Sequence, residues 1–117
     1  TINMNGTAIM QVVATLFIAG CAGYDVTFGQ LVVVALLVLI ASVGTPAAPG
    51  AGAIILFTIL SGLGYVNDSA LLAYSLILAI NRPIEMLLTA LNVVGDSAAS
   101  IYVAKSEGML DETKYNA

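Results

Sequence analysis

Charge is what this sequence has least of. Nine per cent of its 117 residues are charged, three of them Lys or Arg and seven Asp or Glu. Over residues 1–67 the one ionisable acid or base, tyrosines and the cysteine aside, is Asp25. A soluble domain of this size has too much surface to cover with so few charges. Sixty per cent of residues are apolar and the mean hydropathy is +1.02, so the expected solvent is lipid. Histidine is absent and Cys21 is the single cysteine, which excludes an internal disulfide and leaves no zinc ligand set. Cys21 reads as a small helix-packing residue. Half of the charged residues lie in the C-terminal tail, and the net charge of −4 argues against a nucleic-acid partner. No nucleophile–base pair or metal cluster appears, so an enzyme is not expected. The chain begins with Thr and shows no n-region or cleavage site, and a C-terminal fragment of a larger protein is expected.

Against this background the polar residues that do occur stand out. Residues 81–96 read N-R-P-I-E-M-L-L-T-A-L-N-V-V-G-D inside a long apolar segment without room for a loop. On a helix, at about 100° per residue, Asn81, Glu85, Thr89, Asn92 and Asp96 fall within roughly 80° of one another. Such a stripe in lipid needs a partner, an ion or a wet cavity. Interhelical hydrogen bonds that hold a bundle together are the plainer reading, and a binding site the sharper one.

Proline is scarce too, with three residues, two of them close together. The start, T-I-N-M-N-G-T, is either a helix N-terminus capped by Asn or Thr, or the broken part of a membrane helix whose freed carbonyls line a site. Residues 8–23 are then apolar. Residues 31–41 form an apolar arm, S-V-G-T-P-A-A-P-G-A-G follows at 42–52, and a second arm covers 53–63. Arms of about 11 to 15 residues fall short of the roughly 20 that cross a bilayer, and the Pro and Gly between them stop the helix. A re-entrant hairpin with an irregular tip fits best; a kinked pair of interfacial helices is the alternative. Ser69 is a candidate cap for a helix over 70–104, long enough to span with tilt, in which Pro83 predicts a kink or a local widening. Residues 105–117 form a solvated tail, and Lys105 and Lys114 place it in the cytoplasm. No internal repeat is visible.

N-M-N-G-T at 3–7, A-S-V-G-T-P-A-A-P-G-A-G at 41–52 and N-V-V-G-D at 92–96 resemble the glutamate-transporter family. This is the dicarboxylate/amino acid:cation symporter family, and the likeness covers nearly the whole chain in order and spacing. It implies an all-α integral membrane fold, the C-terminal part of a transport domain. Residues 1–24 would be the outer part of a broken seventh helix, 27–64 the second re-entrant hairpin and extracellular gate, 70–104 the eighth helix. It also implies coupling sodium ions, with no organic cofactor. One cation site would use the backbone of Asn3 and Asn92 with the Asp96 carboxylate. A second would use carbonyls of Thr1, Ser42, Val43 and Thr45. The substrate carboxylate would meet Asn92 and the hairpin-tip backbone around Ala48, Pro49 and Gly52, with Thr7 close by. Its ammonium would meet Glu85, with Thr89 alongside and Leu88 beside the substrate side chain.

Three positions depart from the family pattern. Asn5 replaces an Asp and removes a charge from a third cation site. Glu85 replaces the Asp of most amino-acid carriers, and Leu88 stands where carriers of acidic substrates have Arg. Arg82 does not obviously compensate, although its side chain is long enough to threaten the argument. The expected function is sodium-coupled symport of a small amino acid, neutral rather than acidic, by an elevator-like movement. A proton-coupled or dicarboxylate symporter of the same family, with Glu85 or Asp96 as proton carrier, is the first alternative. A non-transporting structural or channel-like subunit is the second. The implied partners are the bilayer of the inner cell membrane, the rest of the transporter chain and, through it, a homotrimer.

Overall fold

The computed structural model describes residues 3–116. They form α1 (Asn5–Cys21), α2 (Phe28–Gly44), α3 (Ala51–Leu63), α4 (Asp68–Ser106) and a short α5 (Glu112–Tyr115). The all-helical architecture expected from the sequence is what these residues adopt. α4 is the one helix among them long and apolar enough to cross a membrane, while α1, α2 and α3 are shorter apolar helices. At 1.5 Å per residue its 39 residues run about 58 Å. That equals, within an ångström or so, the 57 Å long axis of the described chain.

α2 opens on a capping box. Gln30 N donates to Thr27 Oγ1 at 3.4 Å and Thr27 N donates to Gln30 Oε1 at 2.8 Å. The helix stops where Pro46 disfavours helical backbone at the preceding residue: Thr45 is extended, with ψ 120°. The irregular tip is therefore residues 45–50, narrower than the expected 42–52. Ser42, Val43 and Gly44 complete α2, and Ala51 and Gly52 open α3. α2 reaches 17 residues, beyond the arm length expected, because Gly44 costs a helix end little when only Pro46 forbids continuation. The two arms pack antiparallel through Val34, Val38 and Ile59, a cluster that also takes Ala8 and Val12 of α1. A second cluster joins Ala14, Ile18 and Ala19 of α1 to Leu56 and Leu60 of α3 and to Tyr65, Ala70 and Ala73. α1 is thus the central helix, touching every other long one.

The end of the hairpin away from the tip is tied down firmly. Glycines in the left-handed region, Gly23 at φ 75° and Gly64 at φ 76°, turn the chain out of α1 and α3. The Tyr24 and Tyr65 rings stack with centroids 4.6 Å apart, and Tyr24 OH donates to Gly64 O at 3.3 Å. Asn67 Nδ2 donates to Ala22 O at 3.1 Å. The same Asn67 caps α4, its Oδ1 accepting from Ala70 N at 2.8 Å, so the helix starts two residues earlier than expected and Ser69 is not its cap. Asn67 can reach both ends of the junction at once, which Ser69, already inside the first turn, cannot. Pro83 is taken up within continuous α-helix without a widened turn; its missing N–H costs one intrahelical bond and does not demand a change of pitch. In the tail, the Thr113 hydroxyl, and after it Lys114, hold the Asp111 carboxyl below the usual carboxylate range.

Asn67→Ala is expected to lower stability by about 1 kcal/mol, read as a drop in the thermal unfolding midpoint in detergent, with Ser69→Ala near the parent. A larger loss for Ser69→Ala would reverse the cap assignment.

Candidate functional site: a cleft between the hairpin tip and α4

α1 and α4 run antiparallel and approach closely at their polar ends. A Cβ built on Gly6 would lie 2.7 Å from Leu88 O, and one on Gly95 would overlap the Asn3 amide. Only hydrogen at Gly6 allows the two backbones to come this near. The approach puts Asn92 against the start of α1. Its Oδ1 accepts from Gly6 N at 2.8 Å, its Nδ2 donates to Thr7 Oγ1 at 3.1 Å, and its backbone O accepts from Asn3 Nδ2 at 2.8 Å. α1 has Met4 at its N-cap with no side-chain cap bond. Neither Asn nor Thr of the opening stretch caps it; Asn92 satisfies a first-turn N–H from across the interface.

This junction forms one wall of a cleft of about 650 Å³. Asn3 and Thr7 line it from the start of the chain, Ala48, Pro49 and Gly52 from the hairpin, and Glu85, Leu88, Thr89, Asn92 and Asp96 from α4. Ten of the residues singled out in the sequence therefore meet in one place. Ser42, Val43 and Thr45 do not line it. They end α2, where Ser42 Oγ donates to Leu39 O and Thr45 Oγ1 to Ala41 O, both at 2.8 Å. Thr1 lies outside the described residues. Asn81, the first member of the stripe, is buried and does not line the cleft, and its Oδ1 has no partner among the described residues.

The sequence reading missed several contributors. Met4 and Met10 line the cleft three residues either side of Thr7, a helical spacing that could have marked them. Gln11, fully buried, donates through Nε2 to Gly52 O at 3.2 Å and holds the start of α3 against α1. Arg82 matters most. It lines the cleft, and its Nη1 lies 3.2 Å from Glu85 Oε2. Glu85 Oε1 in turn accepts from Gly50 N, at the head of α3, at 3.1 Å. The cleft thus offers one guanidinium, two carboxylates, the Asn92 amide and an apolar patch at Leu88. That set can hold a small molecule bearing both signs of charge.

The sodium:dicarboxylate symporter family matches residues 1–106. The chain belongs to that family. It is 38% identical over 113 residues to an excitatory amino acid transporter of Onchocerca volvulus, covering 95% of this chain and 22% of the relative. It is 39% identical over 110 residues to human excitatory amino acid transporter 2, covering 92% of this chain and 18% of that protein. With mouse excitatory amino acid transporter 5 the identity is 34% over 100 residues, covering 86% and 17%. The chain spans about a fifth of the length of these relatives. No solved structure matches it. The cleft, where the residues of the three motifs meet, is the natural place to look for a ligand.

Gly6→Ala is expected to cost about 1–3 kcal/mol, because Leu88 O is backbone and cannot step aside. Thermal unfolding in detergent measures this, and an unchanged midpoint would show that α1 and α4 do not pack at this distance.

Proposed function

We propose that these residues form the substrate- and cation-binding part of a transporter that moves a small neutral amino acid together with sodium. The observation that carries this reading is the pairing, within one cleft, of the Glu85 carboxylate with the Asn92 amide across the apolar Leu88. An amino acid's ammonium suits Glu85, with the Thr89 hydroxyl alongside. Its carboxylate suits the Asn92 amide and the N–H groups at the head of α3, beside Ala48, Pro49 and Gly52, with Thr7 near. Leu88 gives a substrate side chain only apolar contact. Arg82 is the group that could favour an acidic side chain, and its charge is already matched by Glu85 at 3.2 Å. Burying a second carboxylate without a free cation would cost several kcal/mol. The relatives are named as amino acid transporters and the family as a sodium:dicarboxylate symporter family. All of these substrates share the carboxylate that Asn92 and the tip would take.

Sodium is a hard cation and takes oxygen ligands. Asp96 carries an exposed carboxylate on the cleft, one turn beyond Asn92, whose backbone O, bonded within α4 through one lone pair, would exchange Asn3 Nδ2 for an ion at the other. With the Asn3 backbone these fit one sodium ion. The carbonyls that end α2, of Ser42, Val43 and Thr45, sit at the negative end of that helix and, with Thr1, would hold a second. When bound, sodium supplies positive charge that neutralises Asp96. Such ions would join the hairpin to the rest of the domain, and Asn5 in place of Asp would weaken a third site. Under this reading α2 and α3 are a re-entrant gate in the inner cell membrane, the tail is cytoplasmic, and the complete protein is a homotrimer.

Uptake by the complete transporter tests the reading. Replacing sodium by choline is expected to abolish uptake, and alanine, serine and leucine to outcompete aspartate. Leu88→Arg is expected to shift preference toward aspartate by roughly tenfold or more, the worth of a charge-assisted pair. If aspartate or a dicarboxylate wins in the unmodified protein, the Leu88 argument is wrong.

A further inference from the structure

Midway along the contact between α1 and α4 lie three polar side chains that the cleft does not use. Gln11 and Thr15 have no exposed surface, Asn81 is 4% exposed, and none of them lines the cleft. Gln11 Oε1, Thr15 Oγ1 and Asn81 Oδ1 are sealed from solvent and have no hydrogen-bond partner among the described residues. Buried polar atoms are nearly always hydrogen-bonded, so three of them together ask for a partner.

The three belong to one place. Gln11 and Thr15 sit one turn apart on the same face of α1. Asn81 lies about three turns before Asn92 on the same face of α4. α1 runs antiparallel to α4, with Gly6 and Thr7 against Asn92 and Ala22 against Asn67. Asn81 therefore falls opposite the turn from Gln11 to Thr15. The orientations agree with this. Gln11 Nε2 donates to Gly52 O at 3.2 Å; a carbonyl oxygen only accepts, so the amide cannot be turned over and Oε1 is left free. Thr45, Thr89 and Ser100 each donate to the carbonyl one turn back, at 2.8, 2.7 and 2.8 Å. Thr15 makes no such bond, and its hydroxyl is left for something else.

We propose that Gln11, Thr15 and Asn81 hold one buried water molecule that bridges α1 to α4. The donor set fits it. The two amide oxygens accept the two hydrogens of the water, and the Thr15 hydroxyl donates to its oxygen. That gives three partners, the usual number for a buried water, and satisfies all three side-chain atoms. A cation fits worse, because three neutral oxygens with no carboxylate among them leave its charge uncompensated in a low-dielectric interior. No other segment of the complete transporter can serve instead, since the described residues already cover these atoms. Gln11 adds a third arm to the bridge, because its nitrogen holds Gly52 at the start of α3. The water thus ties the two helices that carry most of the cleft's polar groups to each other and to the hairpin. It does so between the Asn92 junction and the Asn67–Ala22 bond, whatever the transporter carries.

The test uses the complete transporter. Thr15→Val keeps the side-chain shape and removes the hydroxyl, and Asn81→Leu does the same for the amide. An unpartnered buried polar atom and a water-bonded one answer with opposite sign. Removing the first raises the thermal unfolding midpoint, and removing the second lowers it. The midpoint in detergent is expected to fall by a few degrees in each single variant, the scale of a lost hydrogen bond. The double variant is expected to lose less than the sum, since one water is lost once. A raised or unchanged midpoint in either single variant, or additive losses in the double, overturns the bridge. The same falls are expected with choline in place of sodium; falls confined to sodium overturn the water in favour of a cation. Should a variant not assemble, a density map of the parent that shows ordered solvent decides. A single peak within about 3 Å of all three oxygens is expected, and its absence overturns the proposal.

Discussion

One buried amide sets the geometry on which the cleft depends. Asn92 uses its oxygen on Gly6 N, its nitrogen on Thr7 Oγ1 and its backbone carbonyl on Asn3. Each bond is worth only about 1 kcal/mol net, but a buried donor left without its partner costs about 1–3 kcal/mol. Asn92 therefore matters less for what it adds than for what its loss would strand. Asn is suited to the place because it can accept and donate from one side chain without bringing a charge. A carboxylate there could accept from Gly6 but could not donate to Thr7. The close passage of α1 over α4, enforced by hydrogen at Gly6, places Asp96 and Asn3 on the same wall.

The hairpin is built with unequal ends. Away from the tip, stacked tyrosines, the Tyr24–Gly64 bond and the Asn67–Ala22 bond fix it to α1 and α4. Midway, Gln11 and Tyr74 bond backbone carbonyls of Gly52 and Ala53, the latter at 3.0 Å. At the tip a chain of Pro, Ala and Gly makes few polar contacts of its own. Local opening draws on the region with the fewest buried contacts and hydrogen bonds, so any movement of the hairpin falls at residues 45–50. The fixed end is also the one furthest from the cleft.

Much of this was legible in the sequence, and the misses have physical causes. The stripe from Asn81 to Asp96 follows from helical period alone, and four of its five members line the cleft. The breaks at Pro46 and Gly50 follow from backbone sterics. The extent of the tip did not: both Gly44 and Gly52 are weak helix formers, but Gly44 costs little at a helix end and Gly52 is pressed against the Thr7 methyl and Met10. Ser69 and Asn67 are equally good caps in isolation, and only the position of Ala22 decides between them. Arg82 could not be placed by period, because a long side chain reaches sideways to wherever its charge is matched.

That reach changes how the electrostatics of the cleft should be weighed. Counted from the sequence, Glu85 is a carboxylate that in lipid needs a partner, an ion or a wet cavity. In the structure it shares its two oxygens between Arg82 and Gly50 N, so its charge is already matched within the chain. Of the two cleft carboxylates, Asp96 is the one without a side-chain partner among the described residues, and it lies one turn beyond Asn92. The two acids are thus unequal. Glu85 is satisfied by its own chain and can be released only by something that offers it an equivalent positive group. Asp96 faces the cleft without such compensation and gains from any small cation that arrives. Under the proposed function, such an arrangement would separate two tasks by helix position, with an organic ammonium near the tip and an inorganic cation near the α1–α4 junction.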